Sequence, residues 1–200
     1  MKNNVLVLVF WAVMFFGLFS GCGEKDDVVK GNGNVISQER TAEGFNSITL
    51  DGVGNVKVFP GENYKVTVIT DSNLQERILT TVNENILYIT QSSGSFSPTK
   101  LTIDVYLPEL TSISLNGAGN FTVNNGNASE LIISISGTGS IDAQNYQVQS
   151  VHMTHSGVGN VKIWATDYLN GTLSGVGNIQ YKDDPIVSVN ISGVGSITPL

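Results

Sequence analysis

Cysteine is nearly missing from this chain: its 200 residues contain one, Cys22. A single thiol makes no intrachain disulfide framework, which excludes a disulfide-stapled scaffold. Arginine is nearly missing too, with only Arg40 and Arg77. Charged residues make up 14% and the formal net charge is −7. Nucleic-acid phosphates require a basic surface, so nucleic acid is excluded as a partner. Beyond residue 30 no stretch sustains apolar residues at helical spacing, which excludes helical repeats.

Assembled catalytic groups are missing as well. There is no Ser-His-Asp order, no phosphate-binding lysine loop and no dinucleotide fingerprint, so no cofactor is expected. Carboxylates thin out after Leu110 to Glu130, Asp142, Asp167, Asp183 and Asp184. Polysaccharide lyases and hydrolases, which also occur on β-helices, need clustered carboxylates. Asp183 and Asp184 are neighbours in an extended chain and point apart, so they read as a solvated turn rather than an acid/base pair. His152 and His155 sit three apart. On a strand such positions face opposite sides, which argues against shared metal ligation. A calcium-binding nonapeptide roll would need aspartate after each Gly-x-Gly, where this chain has Asn or Ser.

Glycine, by contrast, is plentiful at 22 residues, and a recurring six-residue phrase accounts for most of it. The phrase is Ser156-Gly157-Val158-Gly159-Asn160-Val161. Clear copies start at Asp51, Asn116, Ser136, Ser156, Ser174 and Ser192, and a weaker one at Lys30. Their first glycines are 21, 65, 20, 20, 18 and 18 residues apart. A period near 20 marks a solenoid. Between copies lie short alternating runs rich in β-branched residues, such as Leu131-Ile132-Ile133-Ser134-Ile135, which favour strands.

The expected fold is therefore all-β, a right-handed β-helix or β-solenoid with Gly-x-Gly-Asn/Ser repeats at its corners. Glycine tolerates the backbone angles a tight corner demands. Coils stacked in register would align Val53, Ala118, Thr138, Val158, Val176 and Val194 as one apolar ladder. Val56, Phe121, Ile141, Val161, Ile179 and Ile197 would form a second. Asn55, Asn120, Asn160 and Asn178, with Ser140 and Ser196, would stack their side chains from coil to coil. The 65-residue interval differs: Ile78–Val82 and Ile86–Thr90 flank Asn83-Glu84-Asn85 as a hairpin would. This N-terminal part is expected to hold longer, partly antiparallel strands, and 92–99 to be a loop.

Residues 1–21 read as a signal peptide. Lys2 supplies the positive start and an apolar run follows from Val5 to Phe19. Phe19-Ser20-Gly21-Cys22 resembles a bacterial lipobox, with phenylalanine where leucine is usual. The run is short for a stable membrane span, which favours lipidation of Cys22 over a transmembrane anchor. Acyl chains such as palmitate on Cys22 would hold the chain on a membrane. Residues 22–30 form a charged tether, and Lys25-Asp26-Asp27 within it resembles the export signal of Bacteroidetes surface lipoproteins. The expected location is the bacterial outer membrane, facing the surface, with the periplasmic face as the alternative.

Residues 31–200 resemble the putative auto-transporter adhesin, head GIN domain family. The resemblance rests on Phe45-Asn46-Ser47-Ile48, Asp51-Gly52-Val53-Gly54-Asn55-Val56, Leu107-Pro108-Glu109-Leu110, the Ser-Gly-x-Gly repeats, and Ile179-Gln180-Tyr181 leading to Pro185. The family often has glycine between that tyrosine and proline, where this chain has Lys182-Asp183-Asp184. The resemblance implies a right-handed β-helix-like fold on a lipoprotein or secreted chain of Bacteroidetes. The functional expectation is a non-catalytic adhesion or ligand-binding module, its partner a glycan or a protein. Two alternatives stand beside it: a polysaccharide-active enzyme on a β-helix, and a structural envelope component self-associating through the solenoid end.

Overall fold

Alternating β-branched runs become strands because each strand buries every second side chain against a shared core. The structure is a computed structural model that describes residues 28–200. The signal peptide, Cys22 and tether residues up to 27 lie outside the described residues.

The described residues begin with β1 (Val29–Lys30) and β2 (Val35–Arg40). β3 (Ser47–Leu50) and β4 (Val53–Pro60) flank the first clear copy of the repeat. The long interval holds β5 (Lys65–Asp71), a 3-10 turn (Ser72–Arg77), β6 (Ile78–Asn83), β7 (Ile86–Gln91), β8 (Phe96–Ser97) and β9 (Leu101–Leu107). The regular array follows as β10 (Ser112–Leu115), β11 (Ala118–Val123), β12 (Gly126–Ile135), β13 (Ile141–His155) and β14 (Val161–Leu173). Then come β15 (Ile179–Lys182), β16 (Ile186–Ile191) and β17 (Ile197–Pro199). The fold is all-β, as the sequence leads one to expect.

Strands of the array pair in parallel with their equivalents one repeat later. Along one flank the order is β4, β11, β13, β14, β15, β17. Along the other it is β3, β10, β12, β13, β14, β16. β13 and β14 belong to both flanks, so one 15-stranded sheet bends round on itself and nearly closes, like a barrel. Both flanks feed one core.

The two expected apolar ladders are both in register, and they have opposite fates. Val56, Phe121, Ile141, Val161, Ile179 and Ile197 align strand to strand. The first five are buried. Fully burying each such side chain contributes about 1.5–3 kcal/mol. Val53, Ala118, Thr138, Val158, Val176 and Val194 align equally well, yet they are exposed, Val158 by 50%. The residue between the glycines points outward.

The asparagine ladder also forms, with a different bonding pattern from the expected amide stack. Only Asn120 and Asn55 join amide to amide, at 2.9 Å. Elsewhere a side-chain oxygen accepts the backbone N–H of the next coil: Asn120 from Ser140, Asn160 from Asn178, and Asn178 from Ser196. Ser140 Oγ accepts from the Asn160 N–H in the same way. The carbonyl arm of a corner asparagine reaches the orphan amide above it sooner than it reaches another side chain.

The paired glycines of the repeat are places of backbone contact. Gly159 has φ of 152°, and a Cβ there would collide with the Gly139 carbonyl oxygen of the preceding coil. The first glycine of a copy is needed for space alone. Gly157 would likewise strike Gly137, but its φ is ordinary.

Two parts depart from the array. The weak copy at Lys30 makes no corner: it leads into β2, which runs antiparallel to β5. There the Gly33 N–H donates to Asp71, as do the Thr99 N–H and hydroxyl. Burial pushes the Asp71 carboxyl pKa up, and these hydrogen bonds outweigh it, leaving it below the ordinary value. The long interval is a cap. β7 and β9 extend the parallel flanks by one rung against β3 and β4. β5 and β6 then pair antiparallel with them. The β6–β7 hairpin turns on Glu84 and Asn85, at φ 48° and 64°, the left-handed pair that a two-residue hairpin turn requires. The 92–99 segment is not all loop: β8 within it pairs with β1.

Gly159→Ala should lower stability by about 3 kcal/mol through backbone collision, a fall in Tm of about 6–12 °C for a chain of this length. Gly61→Ala, where the nearest atom to a new Cβ is 4.0 Å away, should leave Tm unchanged. Thermal unfolding of the two variants by circular dichroism checks the contrast.

Candidate ligand-binding groove

The drop in spacing from 20 to 18 residues has to be absorbed somewhere between corners. It is absorbed in β13. Ala143 pairs with Ile163 of β14, but the next pair is Gln147 with Trp164. Gln144, Asn145 and Tyr146 are therefore extra residues pushed out of the ladder, a bulge of the kind that re-aims side chains. A second shift between Val148 and Ser150 returns one residue.

Within the bulge Tyr146 turns inward and is fully buried. Its hydroxyl donates to the Leu110 carbonyl at 2.9 Å and accepts from the Leu110 N–H at 3.2 Å. This pins the connector between β9 and β10, so that Pro108 and Glu109 stand up as a wall. Beside that wall lies an open groove of about 760 Å³. Asn127, Gln147 and Gln149 line it, with Ala128, Ser129 and Thr166. The lining holds one carboxylate, Glu109, and no lysine or arginine.

Trp164 adjoins the groove through its pairing with Gln147. Its indole N–H donates to Asp183 Oδ2 at 2.6 Å. The Lys182 ammonium lies 5.1 Å from the ring centroid and donates to the Gln144 carbonyl at 2.6 Å. A cation over an aromatic face is attracted by the ring quadrupole. The ring is thus held by an edge bond and a facial contact, both tied to the bulge and the 183 turn.

The residues singled out in the sequence fall elsewhere or have other roles. His152 points out and lies 3.5 Å from Glu130. His155 points in and donates from Nε2 to the Gly159 carbonyl at 2.8 Å, bracing a corner. The two imidazoles do not share a site, and among the described residues no group of three or more His, Cys, Asp or Glu is placed to hold a metal. Asp183 sits in a left-handed turn at φ 66° and serves Trp164. The corner asparagines spend their oxygens on the next coil. Cys22 lies outside the described residues. Sequence reasoning missed the groove, for which the one available signal was the change in spacing after Gly157.

Tyr146→Phe should leave the buried Leu110 N–H and carbonyl without a partner, at a cost of about 1–3 kcal/mol. Burial raises the Tyr146 pKa above its ordinary 10.0, hydrogen bonding with Leu110 opposes this, and the Glu109 charge adds to it. A raised phenol favours the folded state while it is protonated. Its contribution is complete below the ordinary pKa and disappears as pH rises through the folded value. Urea unfolding from about pH 8 to 11 should show an alkaline decline that is steeper in the natural chain than in Tyr146→Phe. Parallel curves would contradict this role.

A family model described as "Putative auto-transporter adhesin, head GIN domain" matches residues 44–130 and 119–185. No curated protein matches the chain. Among solved structures, a putative adhesin from Bacteroides fragilis NCTC 9343 shares 21% identity over 86% of this chain and 100% of its own, with a TM-score of 0.59. A putative cell adhesion protein from Clostridium sporogenes ATCC 15579 shares 20% identity over 83% of this chain and 99% of its own, with a TM-score of 0.50. A putative lipid binding protein from Parabacteroides distasonis ATCC 8503 shares 21% identity over 86% and 99%, with a TM-score of 0.45. The two adhesin likenesses establish the fold. With most of its length from Gly44 to Pro185 matched, the chain belongs to the putative auto-transporter adhesin, head GIN domain family.

Proposed function

We propose that this chain is a lipid-anchored binding module of the bacterial cell envelope that holds its ligand without transforming it. The observation that carries the reading is the groove: a rigid, amide-lined surface on paired strands with one carboxylate. Glycosidic hydrolysis commonly uses two flanking carboxylates. The family's adhesin description is consistent with such a role. We further read the parallel stack as a right-handed β-helix with Gly-x-Gly-Asn/Ser corners, since parallel crossover connections are right-handed in about 98% of cases. Cys22 is the lipidation site in this reading, and Lys25-Asp26-Asp27 directs the chain to the outer surface of the outer membrane. Among the described residues no helix is long and apolar enough to cross a membrane.

Expression of the full chain with labelled palmitate in a Bacteroidetes host should label the natural protein and leave Cys22→Ser unlabelled. The same protein, presented with glycans and matrix proteins, should show saturable binding and release no products. Oligosaccharide release would overturn the non-catalytic reading.

A second reading has its own observation. β16 pairs only with β14, and β17 only with β15, so their outer edges are unpaired among the described residues. Ile186 and Val194 there are 64% and 69% exposed. Open apolar edges invite strand addition. Self-association by this edge predicts a scattering mass that rises with concentration and returns to the monomer in Val187→Lys. A monomer at all concentrations would remove this reading.

A further inference from the structure

A row of side chains that the strand register lines up starts in the groove, with Asn127 and Gln147, and runs on beyond it to Trp164 and Lys182. Asn127 of β12 pairs with Gln147 of β13, Gln147 with Trp164 of β14, and Trp164 with Lys182 of β15. Neighbouring strands lie about 4.8 Å apart. One sugar of an extended pyranose chain advances by a comparable length. We infer, building on the binding-module reading, that this row binds a neutral extended glycan, with Trp164 as stacking platform and Asn127 and Gln147 as hydrogen-bonding partners of successive sugars.

Four observations converge on that ligand chemistry. First, the amides are uncommitted. Asn127, Gln147 and Gln149 make no side-chain hydrogen bond among the described residues, whereas the corner asparagines bond to the next coil. A planar amide offers both donors and an acceptor, which matches hydroxyls that donate and accept. Second, Trp164 is fixed before any ligand arrives, by Asp183 and Lys182. Lys182 belongs to β15, on the side of β14 away from the groove, and Gln147 belongs to β13, on the groove side. An aromatic ring held in place suits the C–H face of a pyranose.

Third, the charge is wrong for an acidic glycan. The groove lining carries Glu109 and no cation, on a chain of net charge −7. A uronate or sulfated polymer would meet repulsion in the lining, and the one ammonium of the row, Lys182, is already engaged by the Gln144 carbonyl and the Trp164 ring. Fourth, the lining is polar and open. A lipid tail would need an enclosed apolar cavity, and a protein partner would need a desolvated apolar centre ringed by polar groups. The groove has neither. Its residues stand on strands, not on a mobile loop, which is the placement that holds a binding constellation in geometry.

The test uses the full chain in detergent, titrated with cellohexaose, mannohexaose, hexagalacturonate and, as a matrix protein, collagen. The chain has only two tryptophans, Trp11 and Trp164, so intrinsic fluorescence with Trp164→Phe as reference isolates the groove signal. At least one neutral hexaose should give a saturable Trp164 signal, and hexagalacturonate none. The double variant Asn127→Ala/Gln147→Ala should weaken calorimetric affinity about tenfold, as expected for two lost neutral hydrogen-bonding groups. Both substitutions are on exposed side chains, and circular dichroism confirms the fold is kept. Unchanged affinity in the double variant, or preference for the uronate, would overturn the groove assignment and leave the binding-module reading standing. Binding of a matrix protein with no hexaose bound would overturn the glycan class alone. No binding to any probe would overturn both.

Discussion

Backbone resting on backbone at the glycine corners is the constraint from which the rest of the structure follows. Gly159 lies against Gly139 so closely that no side chain fits between them. That contact fixes where each coil sits on the last. Once the corners are stacked, the residues on either side have no freedom of register. Val161 must lie over Ile141 and Leu173 over His155. A one-residue slip would turn each core side chain out to water, so the corner column and the core ladder enforce each other.

Much of this was legible because the period is written in glycine, whose demands are local. The copies at Asn116, Ser136, Ser156, Ser174 and Ser192 stack in parallel register, and the residues between their glycines pair as the spacing requires. The cap was legible too, since Asn83-Glu84-Asn85 between two alternating runs is a hairpin signal on its own. Less was legible where the outcome depended on three-dimensional offset. The sequence places Asn160 beneath Asn178, but whether its oxygen meets an amide side chain or a backbone N–H depends on how far one coil is displaced along the next. The outward face of Val158 was hidden for a related reason: an apolar residue between two glycines reads as core until the corner's direction is known. The Lys30 copy has the letters of a corner without a neighbour to stack on.

The groove was the least legible part. A spacing that falls from 20 to 18 residues announces that a coil has shortened, but not on which side. The answer depends on Tyr146 finding Leu110, a contact 36 residues distant. No local pattern around Gln144 or Asn145 marks a bulge, and Gln147 differs from other exposed polar residues only through the strand beside it. Trp164 had no evident partner in the sequence, because Asp183 and Lys182 reach it from another coil.

The bulge in β13 has a consequence for how such proteins diversify. Because the glycine column and the core ladder together fix the stacking, residues added to or deleted from the outer stretch between two repeats alter the contour of one rung and leave its neighbours in place. Insertions and deletions, which disrupt most folds, here become a graded means of reshaping one surface. Two relatives can share every corner and the same interior and still present different recesses to the outside. The part of the chain that varies in length is therefore where a lineage would adapt to new surroundings, while the glycine column keeps its spacing.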